Sequence, residues 1–414
     1  MFTKSTSANP LVPRKVATWL LVVTMGCGTA GITIISPALS SITKYFSVDE
    51  AAAQSLLSGY FIAMAVSQLI YGPLSDRYGR RRPLLVGLAG FALGGLLAAS
   101  AESFEVLVIA RVLQGLGAAS IASIIRAIIN DSYGRLEAAG AFATISGIMV
   151  IVPIFSFAFG GLISDLIGWK GIMFGIFFAG LIPLALNFIF LPETNLRPIP
   201  QIRLGSLAQD HLILLTNPMF LTFMLASSFC VGIFFTMIGF VPFEYQRIGV
   251  DNTEIGFWFV LIPCGYTLGN LITKNFVHRI GIERMSQIGG LISIIATSAL
   301  LLPSFLGWYH PALIAIPCFL FGFASGFVIA NATMGAIAAA GKLGGSASGI
   351  VGAGQMGFGI FGGSLVVSVG GYEHFESGVL ILIGLAALST LSSTLAQHFS
   401  KTLPLVEPVE PEAS

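Results

Sequence analysis

Gly72-Pro73-Leu74-Ser75-Asp76-Arg77-Tyr78-Gly79-Arg80-Arg81-Arg82 lies between two long apolar runs, Ala51–Tyr71 and Pro83–Ala101. One carboxylate and four arginines crowd a turn too short to fold alone. Between two membrane-length runs, such a turn belongs in water beside the bilayer, on the side that retains positive charge. Asp76 and Arg80 are four residues apart, so a helical turn puts them on one face, where they pair. Gly72 and Gly79 permit close backbone approach or left-handed geometry. Charge alone fits any positively charged loop, whereas the spacing Gly-x-Leu-x-Asp-Arg-x-Gly-Arg-Arg is far narrower.

The composition points the same way. Of 414 residues, 55% are hydrophobic and 9% are charged, against roughly a quarter charged in soluble domains. The net charge of +1 specifies neither an acidic nor a basic partner, and no basic stripe with interleaved aromatics suggests nucleic acid. Cys27, Cys230, Cys264 and Cys318 each stand alone in a different apolar run, and the five histidines are scattered. Neither a disulfide framework nor metal-ligand spacing is present, so no metal, no cofactor and no catalytic residue is expected. A membrane enzyme needs clustered His, Asp or Cys, and an ATP-driven pump needs a phosphate-binding Gly-Lys-Ser/Thr; Gly341-Lys342 is followed by Leu343.

Apolar runs of spanning length recur at about 16–37, 52–72, 83–101, 105–127, 139–164, 171–191, 219–241, 253–274, 285–305, 312–336, 347–369 and 378–398. The expected fold is therefore all-α and integral to the membrane, with twelve transmembrane helices. Residues 1–15 form an amino-terminal tail, 16–191 and 219–398 two six-helix bundles, 192–218 a linker, and 399–414 a proline-rich disordered tail. In the linker, Ile202, Leu204, Leu207, Leu212 and Leu215 suit one side of a short surface helix. With an even number of spans, fifteen Lys/Arg fall on the side of the termini, three on the other and two within a span. The bias puts both termini in the cytoplasm.

A shift of 202 residues carries Arg77, Gly79 and Arg82 onto Arg279, Gly281 and Arg284. It also carries Ser146-Gly147-Ile148 onto Ser348-Gly349-Ile350, and Phe159-Gly160-Gly161 onto Phe361-Gly362-Gly363. Three matches in one register read as an internal repeat.

Polar groups within spans are functional candidates by default. In the fourth run, Arg111, Gln114, Gly115, Ala118, Ala122 and Arg126 fall within a sector of about 120° at about 100° per residue. This face lines a water-filled cavity or braces neighbouring helices through backbone carbonyls; both readings stand. Pro153 removes a backbone hydrogen bond, and the pairs Gly160-Gly161 and Gly362-Gly363 allow close, sliding helix contact or act as hinges.

The loop at Gly72–Arg82 resembles the signature between the second and third helices of the major facilitator superfamily, whose plan is two parallel six-helix repeats. The resemblance implies a gate built from Gly72, Asp76, Arg77, Gly79, Arg80 and Asp131. Arg111-Val-Leu-Gln114-Gly115-Leu-Gly117 resembles the Arg-x-x-Gln-Gly-x-Gly motif of proton-coupled members. Thr29, Thr33, Arg111, Gln114, Arg126, Thr236 and Asn331 become the candidate substrate cavity, since the family's first, fourth, seventh and tenth spans surround it. Antiporter members carry Gly-Pro-x-x-Gly-Gly where this chain has Ser156-Phe157-Ala158-Phe159-Gly160-Gly161, which departs from that pattern.

Ser36-Pro37-Ala38-Leu39 and Leu191-Pro192-Glu193-Thr194 resemble the bicyclomycin/chloramphenicol-resistance branch. That implies a monomeric carrier of the bacterial inner membrane, taking a small molecule as substrate and protons as partner, with siderophore transport as the alternative and a channel as the competing class. Branch members place an aspartate where this chain has Thr33. Arginines without a mid-depth carboxylate favour a neutral or anionic substrate, and coupling falls to Arg111, Glu244 or the substrate's own carboxylate.

Overall fold

A computed structural model describes residues 15–196 and 204–402. The amino-terminal tail before Lys15, the linker residues 197–203 and the tail from 403 onward lie outside the described residues. The first half comprises α1 (Thr18–Thr33), α2 (Leu39–Phe46), α3 (Ala53–Tyr78), α4 (Arg81–Ala99), α5 (Phe104–Met149), α6 (Ile151–Ile167) and α7 (Trp169–Phe190). After α8 (Leu204–Thr216), the second half comprises α9 (Pro218–Arg247), α10 (Asn252–Phe259), α11 (Leu261–Ile280), α12 (Ile282–Ala299), α13 (Leu302–Leu306), α14 (Pro311–Ala339), α15 (Gly344–Ser368) and α16 (Phe375–Thr402). Helices dominate because a lipid environment offers backbone groups no alternative partner.

Among the described residues, eleven stretches are long and apolar enough to cross a membrane. The twelfth expected, near 285–305, is α12. It starts with Glu283, Arg284, Ser286 and Gln287, which lower its hydropathy, yet it packs between α14 and α16 as a full member of its bundle. Several boundaries differ from the sequence reading. The first span runs Thr18–Phe46 through a 3-10 turn at Ser36–Ala38. The connection expected between the fourth and fifth spans is itself helical, because α5 continues to Met149. Residues 399–402, expected to be disordered, extend α16. On α8, Leu212, Ile213 and Leu215 are exposed, while Leu214 is buried against α9.

The halves are pseudo-symmetric, and their turns carry the repeat. Ser47, Gly79 and Gly168 have positive φ, and so do Gly249, Gly281 and Gly370, each 202 residues later. Asp49 and Asp251, also 202 apart, each cap a helix start, accepting from the amides of Ala52 (2.7 Å) and Glu254 (2.7 Å). Between the halves, α3 packs on α15 and α6 on α10. Gly161 makes the second contact possible, since a Cβ there would lie 2.0 Å from the carbonyl oxygen of Asn252. Two helix breaks follow one rule. Pro153 and Pro263 cannot donate to the carbonyls of Met149 and Phe259, and the chain leaves α-helix just after each.

Candidate functional site

Helix α3 runs the depth of the molecule, with Glu50 ahead of it at one end and Arg80 after it at the other. At the Arg80 end, the Arg80 guanidinium donates to Asp131 Oδ2 at 2.9 Å, to Ser75 Oγ at 2.8 Å and to Asp76 Oδ1. Burial works against this charge, but the bonds to Asp131 and Asp76 outweigh it and hold the Arg80 pKa above its usual value. Both acids belong to the first half, so the network fastens α3 to α5 within one bundle. Gly72 lies open on the wall of a groove of about 310 Å³ shared by α3, α8 and α15, with Asp76, Arg80 and His211. Arg77 is exposed and lies over the Tyr78 ring at 5.1 Å.

The organising residue missed in the sequence is Glu193. Its carboxylate accepts the backbone N–H of Arg80 (2.7 Å), Arg81 (3.2 Å), Thr194 (3.0 Å) and Asn195 (2.9 Å). It caps the start of α4, where an anion also meets the positive end of the helix dipole. Gly79 turns with φ +84°, and any Cβ there would lie 2.4 Å from the Glu193 carboxylate. Leu191-Pro192-Glu193-Thr194 was the available signal, but nothing in it states what Glu193 caps.

The candidate cavity residues scatter. Arg111 is fully buried and its guanidinium donates to the carbonyls of Leu56 (3.3 Å) and Gly31 (3.0 Å) and to Gln114 Oε1 (2.6 Å), lying 4.4 Å over the Tyr60 ring. Gly115 lets α5 press onto the Tyr60 carbonyl and so brings Arg111 within reach of α3. Arg111 and Gln114 therefore brace α1, α3 and α5, while Arg111 Nη2 and Gln114 Nε2 stay buried with no hydrogen-bond partner. Thr33 is buried, 3.5 Å from the Thr29 carbonyl. Thr236 donates to the Gly232 carbonyl, with Gly362 packed on it, and Asn331 donates to the Phe327 carbonyl. Arg126 joins the halves, donating to Ser348 Oγ at 2.6 Å.

Of that set only Thr29 reaches the central cavity, a space of about 310 Å³ lined by residues of both halves. Its walls include Met25, Met149, Pro153, Phe234, Pro263 and Phe321. Among the described residues, the polar side chains on it are Thr29, Tyr266 and Ser325, and no charged residue lines it. Thr29 and Ser325 already donate to backbone carbonyls in their own helices.

At the Glu50 end the halves are tied repeatedly. Ser36 donates to the Ile238 carbonyl at 2.5 Å, and Lys44 to Gln246 Oε1 at 3.0 Å. Arg247 pairs with Glu50 at 2.6 Å. Asn252 donates to Ser41 Oγ (2.8 Å) and Asp165 Oδ1 (2.7 Å), and Tyr372 meets Gln54. Gly363 packs on the Gln54 side chain across the halves, and within the first half Gly160 packs on the Ile34 carbonyl. Glu244, 7% exposed, sits here beside Arg247, away from the cavity.

Residues 21–364 match the Major Facilitator Superfamily model. The chain belongs to this superfamily. It is 25% identical over 389 residues to a bicyclomycin resistance protein homolog of Haemophilus influenzae, covering 91% of this chain and 97% of that one. It is 26% identical to multidrug resistance protein D of Escherichia coli, covering 80% and 84% respectively. Among solved structures, a bacterial homolog of the human lysosomal transporter Spinster, inward-facing and unoccupied, superposes with a TM-score of 0.73 at 16% identity, covering 96% of this chain and 98% of that one. A D-xylose-proton symporter superposes at 0.72 and 16% identity, covering 92% and 97%. As a major facilitator, the chain is a multi-pass membrane transporter whose glycine pairs and Arg80 network sit where its helices meet.

Proposed function

We propose that this chain exports a neutral, lipophilic small molecule across a bacterial inner membrane by alternating access, driven by proton exchange, with the Arg80 end and both termini in the cytoplasm. Residues 16–191 and 219–398 rock as two bodies within one monomer. The observation that carries the substrate class is the central cavity, whose wall, among the described residues, is apolar apart from three already engaged or weakly polar groups and holds no charge. A buried charge without a partner is costly, so such a wall selects against ions of either sign. Arg111 stands outside the lining of this cavity, with its Nε and Nη1 engaged by the Leu56 and Gly31 carbonyls, so the wall itself offers an anion no cation. A carboxylate-bearing siderophore needs a cation on that wall. The ties between halves concentrate at the Glu50 end, which supports a state closed there and a carrier over an open pore.

Purified protein in proteoliposomes tests this. With an imposed proton gradient, saturable exchange of a neutral drug such as chloramphenicol is expected, without movement of ethidium. Proton-driven ethidium exchange would overturn the neutral-substrate reading.

A further inference from the structure

Two pseudo-equivalent residues reach across the molecule at the Glu50 end. Glu50 follows the cap Asp49, and Asn252 follows the cap Asp251, each 202 residues from its counterpart. Asn252, on the second half, binds Ser41 and Asp165 of the first. Glu50, on the first half, binds Arg247 of the second. The folding repeat thus supplies two straps between the halves, one built on an amide and one on an ion pair.

The ionic strap has a competitor that the amide strap lacks. Arg247 stands between Glu50 Oε2 at 2.6 Å and Glu244 Oε2 at 3.4 Å, one turn back on its own helix. Glu244 and Arg247 also border a pocket of about 450 Å³ with Tyr309, Glu373 and Glu376. Charged and titratable groups facing the pair are thus Glu50 ahead of α3, and Tyr309, Glu373 and Glu376 around the pocket. His374 stands beside Glu376, and Lys44 on α2 is engaged by the neighbouring Gln246. Arg247 is thus shared between two carboxylates, Glu50 and Glu244, and also acts on Glu376.

We propose that Arg247 is the pivot of a proton-sensitive clamp between the two halves, with Glu244 as the switch and Glu50 as the catch. A proton arriving from the aqueous pocket neutralises Glu244 and leaves Arg247 to Glu50 alone, which tightens the tie between halves. Loss of that proton restores a second carboxylate, Glu244 draws Arg247 back onto α9, and the Glu50 end is freed to part. The clamp regulates opening and carries no substrate. It rests on the alternating-access reading above, but its test reads shape instead of flux.

Spin labels at Glu102→Cys and Leu306→Cys, exposed positions at the Glu50 end of each half, report the separation in a chain lacking its four native cysteines. Without substrate, the wild-type distance distribution is expected to shift to longer values as pH is raised from acid to alkaline. Glu244→Gln is expected to stay short at every pH. Glu50→Gln, a change at a half-exposed site that spares the buried core, is expected to populate the long distance throughout and lose the pH response. A wild-type distribution insensitive to pH, or a pH response surviving in either variant, would overturn the clamp. A clamp that responds in a protein that moves no neutral drug would sink the substrate reading and leave this one standing.

Discussion

Ser36 and Ile238 stand 202 residues apart, and the hydroxyl of the first donates to the carbonyl of the second at 2.5 Å. Lys44 and Gln246 repeat the relationship, with the same separation and a 3.0 Å bond. Only residues at a two-fold axis meet their own counterparts, as in a symmetric dimer. The axis relating the halves therefore passes through the Glu50 end, and the hydrogen bonds there form its seam. Parting the halves at this end must break self-paired contacts first.

Gly161 is expected to tolerate substitution worst among the paired glycines. Its added Cβ would meet the backbone oxygen of Asn252 at 2.0 Å, whereas the Cβ of Gly363→Ala meets only the movable Gln54 side chain. Gly147 has open space around it. Gly161→Ala should cost about 1–3 kcal/mol, Gly363→Ala less and Gly147→Ala almost nothing, read as melting temperatures in detergent. Equal losses at all three would contradict the packing argument.

Glu193→Gln keeps the shape of the side chain but removes the charge that holds four backbone amides. A loss of about 1–2 kcal/mol is expected, with faster hydrogen exchange at Arg80 and Arg81. Because Arg80 keeps its charge at any working pH, restoring stability by raising pH is not expected. Unchanged exchange at those two amides would remove Glu193 from its capping role.

Arg111→Ala should destabilise the first bundle by about 3 kcal/mol or more, since two buried carbonyls and Gln114 lose their donor. Arg111→Lys, which keeps a charge but not the planar fork, should fall between. Neither change should alter whether cations or neutral compounds are carried. A switch in charge preference in Arg111→Lys would return this residue to the cavity.

Thr29→Asp places a carboxylate on the wall of the central cavity. Export of ethidium is expected to appear, with neutral-drug flux reduced about tenfold or more. Ser325→Ala, which removes a hydroxyl already bonded to the Phe321 carbonyl, should change flux less than twofold. If Thr29→Asp left the selectivity untouched, the cavity at Thr29 would not be the substrate's path.

The sequence by itself determined the number and order of most spans, the charged turn at Arg80, the 202-residue repeat and the family. These follow from local terms: run length against bilayer thickness, charges that must stay in water, and turns that demand glycine. It did not determine which way the helices face. In a water-soluble helix the apolar stripe marks the inside, but here lipid and protein interior are equally apolar, so periodicity carries little orientation. A buried arginine has to avoid lipid, yet only the packing of Gly115 on Tyr60 decides that Arg111 reaches the Leu56 and Gly31 carbonyls. Glu193 and Asn252 carry no local signal of their roles, which appear only where distant segments meet, 113 residues apart for Arg80 and Glu193. Such contacts depend on where whole helices cross, and a single strand of residues does not contain that distance.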